Sequence, residues 1–144
     1  MLLQKPEQFL QAAGRYIDKI YPSLDQLEEV LRSGRKLTLY HGVDPTAPKL
    51  HFGHSTNYFL LRAFQNAGHR VILLLGDFTA RIGDPTGKSQ ARKPLSPAAI
   101  KANWRTYKQQ AGKILDFSTK ENPVVMKCNS TWLAKLTLGD VITL

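Results

Sequence analysis

Two histidines one helical turn apart are the residues of this chain best placed to do chemistry. His51 and His54 follow a loop rich in glycine, proline and threonine, and they open a helical pattern that begins at Gly53 and has Gly68 as its stop. Free N–H groups and the helix dipole at such a start favour an anion, and two imidazoles so spaced can reach the same one. The pattern predicts a nucleotide triphosphate site.

A metal site and a purely structural role are the alternatives for these histidines. A zinc site needs further ligands, and the single cysteine, Cys128, lies far along the chain, so the sequence predicts no bound metal. His51 and His54 could instead merely cap the helix or pack under the sheet. The glycine between them, which permits a close approach of the backbone, favours the anion site.

Alternating strands and helices are predicted around this loop. Apolar runs predict strands at residues 37–40, 71–75 and 124–128, the second of them covered on both faces. Two amphipathic helices lie between them, the first with Phe59, Ala63, Phe64 and Ala67 on one face, the second capped by Ser96 and Pro97, with Ile100, Trp104, Tyr107, Ala111 and Ile114 on one face. The order βαβαβ is the first half of a doubly wound parallel sheet in an α/β fold.

A helical lead at residues 1–35 precedes this unit, which occupies residues 36–144. Pro6 marks the start of its first helix, whose apolar spacing runs to Ile20, and Ser23 offers a cap for the second. Since ligands of such sheets bind at the carboxyl ends of the strands, Tyr40 to Gly42 and Gly76-Asp77 should open on one edge.

A second loop, residues 83–89, reads Gly-Asp-Pro-Thr-Gly-Lys-Ser. It has three residues between its glycines where a Walker A motif needs four, and the chain contains no G-x-G-x-x-G. Neither a P-loop nor a dinucleotide fingerprint is therefore present.

Both loops resemble those of one enzyme family. His51 to His54 resembles the His-Ile-Gly-His element of class I aminoacyl-tRNA synthetases, with Phe52 in the isoleucine position, where packing is expected to absorb the change. The Tyr-x-Gly-x-Asp-Pro-Thr-Ala run from Tyr40 and the loop at residues 83–88 are similar to those of tyrosyl-tRNA synthetases in particular. The resemblance implies the first half of a Rossmann-like catalytic domain.

Roles for single residues are implied by this resemblance. Tyr40 would bind the phenol of tyrosine, and Asp84 its α-ammonium group. Lys88 and Arg92 would hold the departing pyrophosphate, while Thr46 and His51 would stabilise the γ-phosphate side. The ATP-binding positions implied are His41, Gly42, Asp44, His51, Gly53, His54 and Asn57, of which His54 lies beneath the nucleotide, His41 and Asn57 lie near the ribose, and Gly42 and Asp44 border the adenylate.

The function implied is that of a tyrosine–tRNA ligase. ATP, accompanied by Mg²⁺, would activate tyrosine, and the tyrosyl group would pass to tRNA(Tyr). Because the carboxylate of tyrosine is already a nucleophile, the catalytic groups (Thr46, His51, His54, Lys88 and Arg92) need only position and stabilise charge. The alternatives are a small nucleotidylyltransferase, which shares a similar first loop, and a non-catalytic RNA-binding derivative.

Charge and length bear on partners and completeness. The 144 residues include 20 basic and 11 acidic side chains, a formal net charge of +9, and between Arg81 and Lys113 only Asp84 is acidic. Such a stripe attracts phosphate or nucleic acid, although Lys101, Lys108 and Lys113 fit a solvated helix face better. The chain stops within an apolar helix-like pattern, so we expect a fragment truncated at its C-terminus, poorly active alone, from a protein that forms a homodimer.

The cellular compartment is suggested by what the chain lacks. A single cysteine is typical of a reducing compartment, and the longest apolar run, Val71 to Leu75, is too short to span a bilayer. Nothing near the first residues resembles a signal peptide. We expect a cytoplasmic protein without membrane partners.

Overall fold

The computed structural model describes residues 6–82 and 95–143, and these begin with two helices. Helix α1 (Pro6–Ala13) continues into a 3₁₀ turn at Gly14–Tyr16, and α2 spans Leu24–Arg32. The hydroxyl of Ser23 accepts a hydrogen bond from Gln26 N at 3.3 Å, so the predicted cap is confirmed. The predicted extension of the first helix to Ile20 is wrong, because regular helix stops before Gly14, a residue that is costly inside a helix.

Three parallel strands form one sheet, in which they are neighbours in chain order. They are β1 (Thr38–Val43), β2 (Arg70–Leu75) and β3 (Val125–Cys128). The helices after α2 are α3 (Phe52–Asn66), α4 (Pro97–Trp104), α5 (Tyr107–Ala111), α6 (Ser130–Leu133) and α7 (Leu138–Thr143), with a 3₁₀ turn at Thr79–Arg81. The predicted βαβαβ order in an α/β fold is thus confirmed.

Two details of that prediction differ from the structure. Strand β1 continues to Val43, so Tyr40, His41 and Gly42 lie within the strand rather than after it. The second predicted helix is divided into α4 and α5 by a turn at residues 105–106. Its cap is as predicted, since the Ser96 hydroxyl accepts from Ala99 N at 3.2 Å.

The chain divides into two compact units. One comprises Met1–Tyr40, His51–Ile72 and Ala111–Val125. Its core is formed by Phe9, Ala13, Phe64 and Ala67, and the rings of Phe9 and Phe64 meet edge to face with centroids 4.5 Å apart. This core fastens α1 to α3.

A buried amide joins the end of α3 to a turn before β3 in the same unit. Gln65, 4% exposed, donates to the carbonyls of Asp116 and Asn122 at 2.6 and 2.9 Å and accepts from Asp116 N at 3.1 Å. Asn122 donates in turn to the carbonyls of Gln65 and His69 at 3.1 and 2.6 Å. Each buried polar group thereby finds a partner, which makes the pairing of these two segments specific.

The other unit comprises His41–Leu50, Leu73–Gln110 and Met126–Leu144. Its buried side chains include Val43, Leu73, Leu75, Ile100 and Tyr107, each 5% exposed or less. The division of the chain into a lead at residues 1–35 and a domain at 36–144 stays a prediction. No helix in the described part of the chain is both long and apolar enough to cross a membrane.

Candidate functional site

His51 and His54 close the N-terminus of α3 with a reciprocal capping box. His51 is the N-cap, and its ring Nδ1 accepts a hydrogen bond from Gly53 N at 3.1 Å. The Nδ1 of His54 accepts the backbone N–H of His51 at 3.2 Å. The two ring centroids lie 4.0 Å apart. Local sequence therefore fixes both imidazoles, because each ring is held by the backbone of the other's turn.

This arrangement sets the proton on each ring. Since both Nδ1 atoms accept backbone hydrogen bonds, a neutral imidazole carries its hydrogen on Nε2. Burial, together with the charge of neighbouring His51, lowers the pKa of His54, so its neutral form is favoured further. Within the described residues neither Nε2 has a hydrogen-bond partner, and the pair offers two N–H donors to a ligand.

The capping role, considered as an alternative from the sequence, is therefore real. The expectation that free N–H groups point out of this helix end is wrong for two of them, because Gly53 N bonds the His51 ring and His54 N bonds the His51 carbonyl at 2.9 Å. A side chain between the histidines would be crowded, since a Cβ at Gly53 would lie 3.0 Å from the His51 ring, which would have to shift slightly. An anion here would meet imidazole rather than those backbone groups.

The other positions predicted in this unit are open to solvent. Tyr40 is 72% exposed on β1, and Asn57 is exposed on α3. Phe52 is 92% exposed, so the expectation that packing absorbs it is wrong. It stands at the first position of α3, where its side chain leaves the helix without meeting the core.

In the second unit, Asp44 belongs to a hydrogen-bonded chain of side chains at the strand ends. Asn129, 6% exposed, accepts from Phe78 N at 2.9 Å and donates to the Thr79 hydroxyl at 3.0 Å. Thr79 donates to the Asp44 carboxylate at 2.8 Å. A Cβ at Gly76 would overlap that carboxylate. Thr79, Asn129 and Gly76 thus fix where the carboxylate lies.

Asp77, at the end of β2, holds the start of α6. Its carboxylate accepts from Ser130 N at 3.0 Å and from the Ser130 hydroxyl at 2.6 Å. Asn129 N also bonds the Leu75 carbonyl at 2.9 Å. These hydrogen bonds join the end of β2 to the residues that follow β3.

The loop between β1 and α3 is fastened to α4 and α5. Asn103 Nδ2 donates to the Pro45 carbonyl at 2.9 Å, and the Tyr107 hydroxyl to the Ala47 carbonyl at 2.6 Å. Gln110 donates to the Pro48 carbonyl at 2.9 Å and accepts from Leu50 N at 2.8 Å. Burial raises the pKa of Tyr107, which keeps its hydroxyl a donor.

The remaining predicted positions fall into two groups. Gly42, Thr46 and half-buried His41 lie on β1 or its following loop, and a Cβ at Gly42 would meet nothing within 4 Å. Asp84, Lys88 and Arg92 lie outside the described residues. Among the residues that are described, no three His, Cys, Asp or Glu side chains come together as a metal site.

Sequence reasoning places Gly76 at a strand end and Tyr107 on a helix face, but it does not assign to them, or to four other residues, a part in shaping these loops. The six residues are Gly76, Thr79, Asn103, Tyr107, Gln110 and Asn129. Only Gly76 carried a local signal, since a glycine at a strand end marks a close approach of other atoms. The others act through partners distant in the chain.

Comparisons with known proteins bear on the family. A family model described as tRNA synthetases class I (W and Y) matches residues 32–144. The chain belongs to this family. It is 49% identical over 136 residues to the tyrosine–tRNA ligase of Synechococcus sp., covering 93% of this chain and 33% of that protein. It is 50% identical over 120 residues to the tyrosine–tRNA ligase of Xylella fastidiosa, covering 83% of this chain and 28% of that protein.

Solved structures of the family agree with the fold. A C-terminally truncated mitochondrial tyrosyl-tRNA synthetase of Aspergillus nidulans superposes with a TM-score of 0.78 at 27% identity, over 96% of this chain and 41% of that one. A tyrosyl-tRNA synthetase of Archaeoglobus fulgidus, at 18% identity, shares the fold with a TM-score of 0.69, over 95% of this chain and 38% of that one. The chain spans about a third of the length of the curated relatives it matches.

Proposed function

We propose that the protein is a tyrosine–tRNA ligase, which activates tyrosine with ATP to tyrosyl-adenylate and transfers the tyrosyl group to tRNA(Tyr). Family membership supports this, as do relatives named tyrosine–tRNA ligase at 49% and 50% identity. The observation that carries the proposal is the capped pair of imidazoles at α3, whose Nδ1 atoms accept backbone hydrogen bonds and leave each Nε2 without a partner among the described residues.

The reaction of tyrosine with ATP requires such hydrogen-bond donors. Tyrosine and ATP are both anionic where they react, and the carboxylate attacks the α-phosphorus without needing a general base. The barrier is therefore one of bringing charges together and stabilising the charge that develops on the phosphates. His51 and His54 would donate hydrogen bonds to those oxygens from fixed positions, so that little reorganisation accompanies the reaction.

The roles proposed for other residues follow the family motifs. Tyr40 would bind the phenol of tyrosine, for which its exposed hydroxyl is accessible, and Asp84 would bind the ammonium group. Thr46 would contact the γ-phosphate side, while Lys88 and Arg92 would hold pyrophosphate. The nucleotide would be bordered by Gly42 and Asp44, with His41 and Asn57 near the ribose and Gly53 at the helix start.

Further parts of this proposal concern partners. Mg²⁺ would accompany ATP as a substrate complex, with no metal held by protein ligands alone. The protein would act in the cytoplasm as a homodimer on tRNA(Tyr). The boundary between residues 35 and 36 would separate the helical lead from the catalytic domain.

Amino-acid-dependent exchange of pyrophosphate into ATP, measured with the complete product of the gene, tests the reaction. We expect exchange with tyrosine but not with tryptophan or phenylalanine. Replacing His54 by glutamine should lower the exchange rate by about 10²-fold or more, as loss of one positioned donor does in other enzymes. Tyrosine binding, which these imidazoles would not contact, should change little.

Three results would refute the proposal. Exchange that depends on tryptophan would assign the other specificity of the family. Adenylyl transfer to a phosphorylated acceptor would favour the nucleotidylyltransferase alternative. RNA binding without adenylate formation would identify a non-catalytic derivative.

A further inference from the structure

The loop at residues 45–50 has its carbonyl oxygens drawn toward α4 and α5. Pro45, Ala47 and Pro48 each present a carbonyl to a side-chain donor, at 2.9, 2.6 and 2.9 Å. The donors are Asn103 on α4, and Tyr107 and Gln110 three residues apart on α5, and all three bond this one loop. We call these three side chains the loop clasp.

Peptide geometry then decides what the other side of the loop displays. In a trans peptide the N–H of one residue points opposite to the carbonyl before it. Because the Pro48 carbonyl faces Gln110, the N–H of Lys49 points away from the helices, and the structure gives it no acceptor among the residues it describes. Lys49 and Thr46 are both exposed. The outward side therefore carries a backbone donor, a cation and a hydroxyl.

The side chains of the loop clasp are suited to holding carbonyl oxygens beside a site for an anion. Its donors are two amides and a phenol, all neutral, so they hold carbonyl oxygens without adding charge. The amide of Gln110 bonds two consecutive peptides of the loop, since it donates to the Pro48 carbonyl and accepts from Leu50 N at 2.8 Å. Tyr107 is 2% exposed, and its ring is anchored in the core of the unit. A loop with its carbonyls outward would instead repel phosphate.

We propose that Asn103, Tyr107 and Gln110 are positioning residues that turn the carbonyls of residues 45–48 inward, so that the outward side of the loop can bind the phosphates of ATP. This rests on the proposed function, and it assigns to α4 and α5 a role in phosphate binding. None of the three side chains touches the nucleotide. Each acts through the loop backbone.

The experiment uses the complete product of the gene, with one matched pair of substitutions and one further variant. Gln110→Glu keeps the shape and the acceptor but removes the donor to Pro48, whereas Gln109→Glu adds the same charge at an exposed neighbour on α5. Tyr107→Phe removes only the hydroxyl that bonds Ala47. Binding of ATP, inorganic pyrophosphate and adenosine is measured by titration, and hydrogen exchange is followed at the hydrogen-bonded amides of Thr46 and Leu50.

We expect Tyr107→Phe and Gln110→Glu to weaken ATP and pyrophosphate binding by about 5-fold or more, the effect of one lost hydrogen bond. Adenosine, which lacks phosphates, should bind as before, and Gln109→Glu should weaken ATP less than Gln110→Glu does. Loop amides should exchange faster in the two clasp variants. A merely structural role would weaken adenosine and ATP alike, so the ratio separates the two roles.

Other outcomes overturn the inference. Equal ATP affinity in Tyr107→Phe and the unsubstituted chain, despite faster loop exchange, would show that the loop is held but takes no part in phosphate binding. Unchanged exchange would show that the loop does not depend on these side chains. If the complete product of the gene bound neither ATP nor pyrophosphate while the clasp still protected the loop amides, the nucleotide site itself would be refuted, and with it the role of the clasp.

Discussion

Replacing Gly76 with alanine should displace the Asp44 carboxylate while the fold survives. The added Cβ would overlap Asp44 Oδ1 and lie 2.5 Å from the Thr79 hydroxyl and 2.9 Å from Asp44 Cγ. The φ angle of Gly76 is not in the left-handed region, so the backbone itself accepts alanine. The conflict must be relieved by the side chains, and exposed Asp44 can turn into solvent.

The change in the free energy of unfolding on Gly76→Ala is the sum of two opposing effects. Turning Asp44 away breaks its 2.8 Å bond with Thr79, which at an exposed site costs about 1 kcal/mol. Alanine in place of glycine restricts the unfolded chain and stabilises by about 0.4–1 kcal/mol. The free energy of unfolding should therefore change by less than about 1 kcal/mol. Nucleotide binding should fall to the level of Asp44→Ala, because in both proteins the carboxylate has left its place.

A double-mutant cycle measured by urea denaturation gives the decisive number. In an Asp44→Ala background only the contact of the added Cβ with the Thr79 hydroxyl remains, so Gly76→Ala should be less unfavourable there than in the parent, and the coupling energy between the two sites should be about 1 kcal/mol. Gly139→Ala, in α7, is the control for a glycine-to-alanine change without overlap, since an added Cβ there would lie 3.6 Å from its nearest neighbour. Its effect should be the same with and without Asp44→Ala. Additive effects at positions 76 and 44, or unchanged ATP binding in Gly76→Ala, would refute the reasoning.

Three further substitutions test the packing and the cap. His54→Ala removes the acceptor of the His51 N–H and should lower the free energy of unfolding by about 1 kcal/mol. The folded-state pKa of His54 lies below its ordinary 6.5, so the contribution of His54 to stability is full above pH 6.5 and is lost as pH falls through the lowered pKa. The variant should therefore lose less stability in acid than the parent does. Gln65→Ala leaves buried groups of Asp116 and Asn122 without partners and should cost about 3 kcal/mol in urea denaturation. Phe9→Ala opens a cavity in the core and should cost about 3–5 kcal/mol, again in urea.

Matched controls make each of these refutable. An acid slope in His54→Ala equal to that of the parent would remove His54 from the pH dependence. Gln65→Ala must lose more stability than Gln109→Ala, on exposed α5 surface, or the buried amide is unimportant. Phe52→Ala, at a side chain 92% exposed, should change stability by less than about 0.5 kcal/mol, and a loss as large as that of Phe9→Ala would contradict the core we describe.

Local signals made the order of elements predictable. Ser23 and Ser96 each sit before a helical pattern and cap it as expected, and the apolar run at Val71 matches β2. A helical face is harder to assign. Helical spacing groups Phe59 with buried Phe64, yet Phe59 is 43% exposed and stacks on Tyr16 with ring centroids 5.7 Å apart. Hydrophobic spacing identifies a stripe, but the neighbouring elements decide how wide a stripe is covered.

Contacts between distant residues could not be predicted. Asp44 and Thr79 are 35 positions apart, and Tyr107 meets Ala47 across 60. Such pairs form only once the strands are in register, and no propensity of either residue marks its partner. Spacing is enough to single out the two histidines, whereas their mutual capping depends on ring orientation, which spacing does not reveal. The roles of Asp84, Lys88 and Arg92 stay predictions.

The amide of Gln65 has a consequence for recombining this chain with its relatives. It satisfies groups at Asp116 and Asn122, while Asn122 satisfies the carbonyls of Gln65 and His69. A chimaera whose crossover falls between these segments would inherit one half of the arrangement from each parent, and would be viable only where both parents carry compatible side chains. Exchange of residues 65–122 as one block would avoid that mismatch, which gives a practical rule for choosing where to cut.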